Sequence, residues 1–559
     1  MAQRHSLYST FDHNLVLEFS ASKPPLNLQS TRRRRCIFPE VRNATTCEYC
    51  LARHLPCVKA APKGGYYAQR EARLHAEQSA PGTDAHDVYS EASAASALTD
   101  TRLPHMALQL ELIDLYFQYI HDQFHSLFHR PTFTDDVANE RIPAVVLFAV
   151  FALSSRFSNH HLLTGTAPWQ RGEQFRIASE NLLNIRHVSI VTIQTCILLG
   201  AYAAADGDID VENLYYNTAG RLSLLLDLPN QPASGILERE LNTRTWWTLC
   251  MVDVWSSTAV KLPRIMPFAS AMPLPMDEIP FLSIRPHSTL SVDPSPSTPA
   301  SPLMAEMIKL NRVLSGVIDF NRRCVAESLE GPALEAGVRE LSTKLDDWSA
   351  QLPLNMLDTQ ESLQWFVSQG LGRMFAAVYL GYYHYGQLLY YQFLGADSSM
   401  PPAIVARYAE RCKAHADRLC DLVYRTFAIP DCKVLYATVA HIIVIASTVQ
   451  IHTLLFSSND TEINESKSRL ERNFRVLLEL RQYWTSVESA MNRLHAFHET
   501  CLRSKDNSFV LDRWLLRFLV EFAAHMEFKP RVEDPSYQAL LSLPDPTEEM
   551  TWTPHQQVD

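Results

Sequence analysis

Residues 108–128 read LQLELIDLYFQYIHDQFHSLF, and apolar side chains recur in them at intervals of three and four. That spacing lines one face of an α-helix. Arg130-Pro131 is expected to end the run, because proline lacks a backbone N–H and clashes with the preceding turn. The same periodicity returns in IPAVVLFAVFALSSRF (142–157), VSIVTIQTCILLGAYAAA (188–205), ENLYYNTAGRLSLLLDL (212–228) and RELNTRTWWTLCMVDVWSSTAV (239–260). Several of these are apolar nearly all round, as helices inside a large bundle are. Further on, MFAAVYLGYYHYGQLLYYQFLG (374–395) and SKSRLERNFRVLLELRQYWTSVESAMNRLHAF (466–497) continue the pattern to about residue 528. No alternation of strand type and no repeat of fixed period stands out, so the chain is read as mostly α.

Outward from those helices, 559 residues predict two to four units, and 47% hydrophobic against 20% charged residues supply large cores. Only 17 glycines against 32 prolines argues against strand-and-turn or nucleotide-loop architectures. The longest apolar run noted, Ile142 to Leu153, has 12 residues, short of the roughly 18 of a membrane span. MAQRHSLYSTFDHN lacks the apolar block of a secretory signal, and the expectation is a soluble, intracellular protein without a membrane partner. The net charge of −11 hides an asymmetry: residues 1–80 carry 12 Lys+Arg against 6 Asp+Glu, and the remainder 38 against 55. A basic head on an acidic body points to an anionic partner for the head.

The expected segments are a flexible N-terminus (1–30), a basic cysteine-bearing unit (31–63), a small-residue polar linker (64–103), a helical region (104–282), a Pro/Ser-rich loop (283–302), a helical continuation (303–528) and a loose tail (529–559). The tail reads as an ordinary frayed terminus, with partner binding as its alternative. Of 11 cysteines, Cys196, Cys250, Cys324, Cys412, Cys420, Cys432 and Cys501 are scattered in apolar contexts and read as small core residues.

The other four fall within 22 residues, in RRRRC-x10-C-x2-C-x6-C from Arg32 to Cys57. Zinc takes four ligands in a tetrahedron, and a C-x2-C pair chelates it from one tight turn. Cys36, Cys47, Cys50 and Cys57 are therefore the candidate zinc ligands. The segment resembles the six-cysteine binuclear zinc cluster of fungal transcription factors, in which two C-x2-C-x6-C halves share two zinc ions. Cys47, Cys50 and Cys57 match the second half, Cys36 the last cysteine of the first, Pro39 the connecting loop, and the four arginines the basic run. Leu26 and Gln29 stand where that family has its first two cysteines, which leaves four thiolates, enough for one zinc but not two. Either the module is degenerate or the first 30 residues derive from a misread first exon; the regularity of the rest favours the second. By the resemblance, Arg32 and Arg33 approach the major groove, where arginine suits the O6 and N7 of guanine, with Arg34 and Arg35 beside them. Arg53, Lys59 and Lys63 would meet phosphate. A bare RRRR is also a nuclear-localisation pattern.

The body carries a second resemblance. Residues 111–133 (ELIDLYFQYIHDQFHSLFHRPTF), 214–228 (LYYNTAGRLSLLLDL) and 238–278 (ERELNTRTWWTLCMVDVWSSTAVKLPRIMPFASAMPLPMDE) resemble, in order and spacing, the fungal-specific transcription factor domain over roughly 104–282. The two resemblances imply a small N-terminal zinc module followed by a large all-α helical regulatory domain. They imply a nuclear, zinc-dependent regulator of RNA polymerase II genes, with double-stranded DNA and the transcription machinery as partners. They leave room for a homodimer and for a small-molecule effector; work on a metabolic or biosynthetic gene cluster is common among such regulators. Two rivals stand beside this reading. One is a regulator with a broken zinc module that acts through protein partners without DNA. The other is a helical enzyme or carrier with a structural zinc knuckle.

Other patterns weaken on inspection. His121, His125 and His129 at i, i+4 and i+8 suggest a metal stripe on a helix but lack a fourth ligand. Asp206, Asp208 and Asp210 hint at a calcium loop, but Val211 replaces the needed glycine and Asn217 the bidentate glutamate. Arg244, Trp246 and Trp247 read as core packing around a paired arginine rather than a pocket wall, and the tyrosines between 379 and 391 as core. No G-x-S-x-G, Walker or dinucleotide pattern is present, and no catalytic residue is assigned.

Overall fold

The computed structural model describes residues 102–529, apart from 124, 268–271, 286–298, 396–399, 506, 524–525 and 527–528. The chain divides into two units, Met1–Ser93 and Ala94–Asp559, and every described residue falls in the second. Cys36, Cys47, Cys50, Cys57, Arg32, Arg33, Arg34, Arg35, Arg53, Lys59 and Lys63 lie outside the described residues, as do most of 283–302 and nearly all of the tail.

Among the described residues there are seventeen α-helices and no strand. They are α1 (Met106–Tyr119), α2 (Arg130–Ala138), α3 (Ala144–Ser154), α4 (Glu173–Leu182), α5 (Ile190–Asp206), α6 (Ile209–Leu225), α7 (Ile236–Val260) and α8 (Glu278–Ser283). Then come α9 (Leu303–Ala326), α10 (Gly331–Ala350), α11 (Gln360–Ser368), α12 (Gly372–Tyr390), α13 (Pro402–Ala428), α14 (Thr438–Phe456), α15 (Asp460–Arg481), α16 (Ser486–Arg503) and α17 (Arg513–Val520). Neighbours in sequence pack as hairpins, α5 with α6, α12 with α13 and α14 with α15. The first half joins the second where α7 lies on α9 and α5 meets α16.

The α5–α6 hairpin shows how local sequence sets this packing. Ser189 caps the start of α5 by accepting from the Thr192 N–H at 3.3 Å. Gly207, at φ 75°, ends it in the left-handed conformation that glycine adopts without strain. One residue later Asp208 caps α6, accepting from the Val211 N–H at 3.3 Å. Gly200 lets the helices close up, because a Cβ there would fall 2.6 Å from the Tyr216 ring.

Two expectations change. The helix begun at residue 106 ends at Tyr119 rather than running to 128, and Pro131 sits in the first turn of α2. Proline suits that position, since the first turn of a helix leaves its N–H groups unbonded anyway. The second change concerns α14, which is long and apolar enough to cross a membrane by length and composition. Polar letters at Thr438, His441, Ser447, Thr448, Gln450 and His452 hide it from a search for unbroken apolar runs. Within the fold α14 is packed by α12, α13, α15 and α16, and Val439 to Thr453 are all buried. Its hydroxyls return to its own backbone, Ser447 to Ile443 O at 2.8 Å and Thr448 to Ile445 O at 2.7 Å. Gln450 donates to Asp417 at 2.8 Å. It is a core helix whose buried hydroxyl and amide groups find partners inside.

Candidate functional site

The stretches 111–133 and 238–278 meet at a buried charge cluster. Arg244, fully buried on α7, donates from Nε to Glu240 at 2.8 Å, from Nη1 to Ser126 at 3.2 Å and Glu278 at 3.3 Å, and from Nη2 to the Met276 carbonyl at 2.8 Å. Its guanidinium lies 3.9 Å from the Phe281 ring centroid, an added cation–π contact. Glu278 also accepts from the Leu303 and Met304 N–H groups at 2.6 and 3.3 Å, at the N-terminus of α9, where the helix dipole favours an anion. Burial lifts Glu278 to about 7 against the opposing pull of Arg244 and those amides. Trp247 donates to Pro273 O at 2.8 Å. The cluster therefore ties α7, the 120–129 turn, α8 and α9 into one unit; Arg244 and Trp247 are core, as read.

The three histidines do not share a helix face, because the chain leaves the helix after Tyr119. His121 Nε2 accepts from the Leu127 and Phe128 N–H groups at 3.0 and 3.1 Å, and Nδ1 faces Asp122 at 2.9 Å. His125 Nε2 pairs with the Tyr116 hydroxyl at 3.0 Å, and burial drives its pKa to about 3. His129 caps α2. The aspartates serve the α5–α6 turn: Asp206 pairs with Arg156 at 2.8 Å and Asp208 is the cap already described. Among the described residues no group of three or more His, Cys, Asp or Glu is placed to hold a metal. The tyrosines are tied into the packing, Tyr379 to Met356 O at 2.7 Å, Tyr383 to Asp358 at 2.6 Å and Tyr391 to Thr448 at 2.8 Å. The seven described cysteines are buried free thiols.

A site absent from the sequence reading lies where α5, α6, α7, α14 and α16 converge. They enclose a cavity of about 190 Å³. Small side chains make the room, Ala201, Ala204 and Ala205 from α5 with Ala440 and Ala490, while Tyr216, Trp255 and Trp484 supply aromatic walls. Glu212 on α6 and Arg493 on α16 both line it. Glu212 is 6% exposed, and no side-chain hydrogen bond or ion pair holds its carboxyl. Burial alone lifts it to about 8. Arg493 is 2% exposed and donates from Nη2 to the carbonyls of Arg517 and Phe518 at 3.1 and 2.6 Å. Burial, then the nearby Arg517, lowers it to about 9, with Glu521 opposing. The sequence held one signal for Glu212: with Tyr216, Ala219 and Ser223 it falls on one helical face that is otherwise core.

Residues 113–350 match the family model described as the Fungal specific transcription factor domain. An uncharacterized transcriptional regulatory protein of Schizosaccharomyces pombe is 24% identical over 312 residues, 50% of this chain and 32% of that protein. A second from the same organism is 23% identical over 448 residues, 72% of this chain and 54% of the relative. A Zn(2)-C6 fungal-type transcription factor of Fusarium oxysporum f. sp. lycopersici is 22% identical over 416 residues, 68% of this chain and 44% of the relative. The matched stretches thus span from about a third to just over half of these relatives' own length. The family match runs past the Pro/Ser-rich segment to the last residue of α10, and so includes α9, whose N-terminus binds Glu278. From Ile113 to Ala350, with the Arg244 cluster at its centre, the chain is similar to the Fungal specific transcription factor domain.

Proposed function

We propose that the chain is a nuclear, zinc-dependent, sequence-specific DNA-binding regulator of transcription. What supports the reading is one conjunction: the family match over 113–350 stands on the same chain as RRRRC-x10-C-x2-C-x6-C. Cys36, Cys47, Cys50 and Cys57 offer four thiolates, the number and chemistry that one zinc takes. The metal would supply the organising centre that a segment of about 30 residues cannot build from apolar burial. Arg32 to Arg35 would read and neutralise DNA, Arg53, Lys59 and Lys63 would meet phosphate, and the helical body would govern that activity.

The test uses the full chain and a Cys47→Ser, Cys50→Ser variant. The expected result is one zinc per chain and binding to a selected duplex whose affinity falls with salt at a log–log slope of about −5, as about six phosphate contacts give. The variant loses both. Leu26 and Gln29 favour a second reading, a regulator acting through protein partners without DNA. Zinc-loaded chain that binds no duplex, together with a Leu26→Cys, Gln29→Cys variant that does, would establish that reading.

A further inference from the structure

We propose that the cavity among α5, α6, α7, α14 and α16 is a binding site for a compact, ring-sized organic molecule bearing a carboxylate or carbonyl acceptor, received by Glu212 and Arg493. This deepens the regulatory half of the function proposed above and rests on it only for the consequence in the cell. An apolar cavity of about 150 Å³ accepts benzene. The 190 Å³ here therefore suits one ring with one polar substituent. Apolar cavities of that size stay dry, whereas this one holds a carboxyl that nothing in the protein bonds. A largely buried carboxyl reached only from the cavity lacks a protein partner there; a ligand provides one.

The chemistry of the walls selects the ligand. Near neutral pH Glu212 retains its proton and Arg493 its charge, so both present donors. His125 and His441 face the same space, and burial keeps both neutral, His125 near 3 and His441 well below its ordinary value. Burial likewise keeps Tyr216 and Tyr436 protonated. Asp206, at the end of α5, is engaged by Arg156. The cavity thus offers hydrogens and one positive charge, and an acceptor or anion completes it while a cation meets Arg493. Above pH 8 Glu212 ionises and turns against a carboxylate.

Benzoate, benzamide and benzamidinium share one shape and differ in charge. They are titrated into the full chain without DNA, read by calorimetry and by the fluorescence of Trp255 and Trp484. At pH 6.5 benzoate and benzamide are expected to bind and benzamidinium to bind at least tenfold more weakly. Raising the pH to 8.5 should weaken benzoate about fourfold, the factor that titration of a group near 8 imposes. Glu212→Gln keeps binding and flattens that pH profile. Ala204→Leu fills the cavity and abolishes binding in a chain still helical by circular dichroism; should it not fold, the Gln variant decides. Benzamidinium binding tightest, benzoate strengthening above pH 8, or no binding of any probe at millimolar concentration overturns the assignment. Because DNA takes no part, that failure leaves the DNA-binding reading standing.

Discussion

Glu278 and Glu212 are two buried glutamates of the same helical body, and their surroundings are opposite. Glu278 sits among Arg244, the amides of Leu303 and Met304 and the dipole of α9, with every oxygen in use. Glu212 looks into a cavity with no bonding partner. Burial raises both, to about 7 and about 8. The first is the mark of a structural cluster that fixes how helices meet. The second is a polar group maintained at a cost to stability, which is how binding sites differ from cores.

The strongest way to break this contrast is to remove the arginine. Arg244→Ala leaves Glu240 and Glu278 buried without their counter-charge, and unfolding in denaturant should show a loss of about 3–5 kcal/mol. A loss under about 1 kcal/mol would mean that the cluster does not hold the helices. Next in size is a pair of variants with unequal effects at pH 8.5. Glu278→Gln should change stability little, within about 1 kcal/mol, because the gain from removing a carboxyl raised to about 7 is offset by an amide donor set against the Arg244 and α9 N–H donors. Glu212→Gln should instead stabilise, by about 3 kcal/mol. A raised carboxyl binds its proton more tightly folded than unfolded, so wild-type stability falls as pH climbs from about 4.5 through 8. The gain from Glu212→Gln therefore vanishes near pH 4.5. Glu278, near 7, still titrates in the lower part of the interval from pH 7 to 8.5, so thermal melts of Glu278→Gln across that interval isolate the slope that belongs to Glu212.

Most of the helical architecture was legible because each element carries its own periodicity and caps. What was not legible depends on contacts made far along the chain. The run 108–128 keeps helical spacing throughout, yet the helix stops at Tyr119 because Asp122, at φ 64°, and His121 turn the chain to meet Leu127 and Phe128. Periodicity alone cannot register an alternative partner for the backbone. The same limit hid the cavity, whose residues come from segments spread between positions 120 and 523. Glu212 follows Asp210 in the first turn of α6, where acidic residues are ordinary company for the helix dipole. Only its position above Tyr216 and Ala219 on the buried face set it apart. Arg244 is legible as paired core because its ionic partners, Glu240 and Glu278, lie within the same 238–278 stretch, whereas its bond to Ser126 reaches back to 111–133.

The smallest prediction asks whether the cavity, or merely the start of its helix, governs Glu212. Asp208 caps α6 from the solvent side, and Asp208→Ala should cost about 1 kcal/mol, while Asp208→Asn, which keeps an accepting oxygen, should be near neutral. Neither should move the pH interval over which Glu212 destabilises the fold, because burial is the cause of its shift and no neighbouring charge contributes. Stability curves of the two variants from pH 5 to 8.5 should therefore run parallel to that of the wild type, offset for Ala and superimposed for Asn. A curve that changes slope would show that the charge at the helix start, and not the enclosed space, holds the proton on Glu212. The contrast with Glu278 would then be one of degree, two carboxyls balanced by local helix ends, rather than one between a closed cluster and an open site.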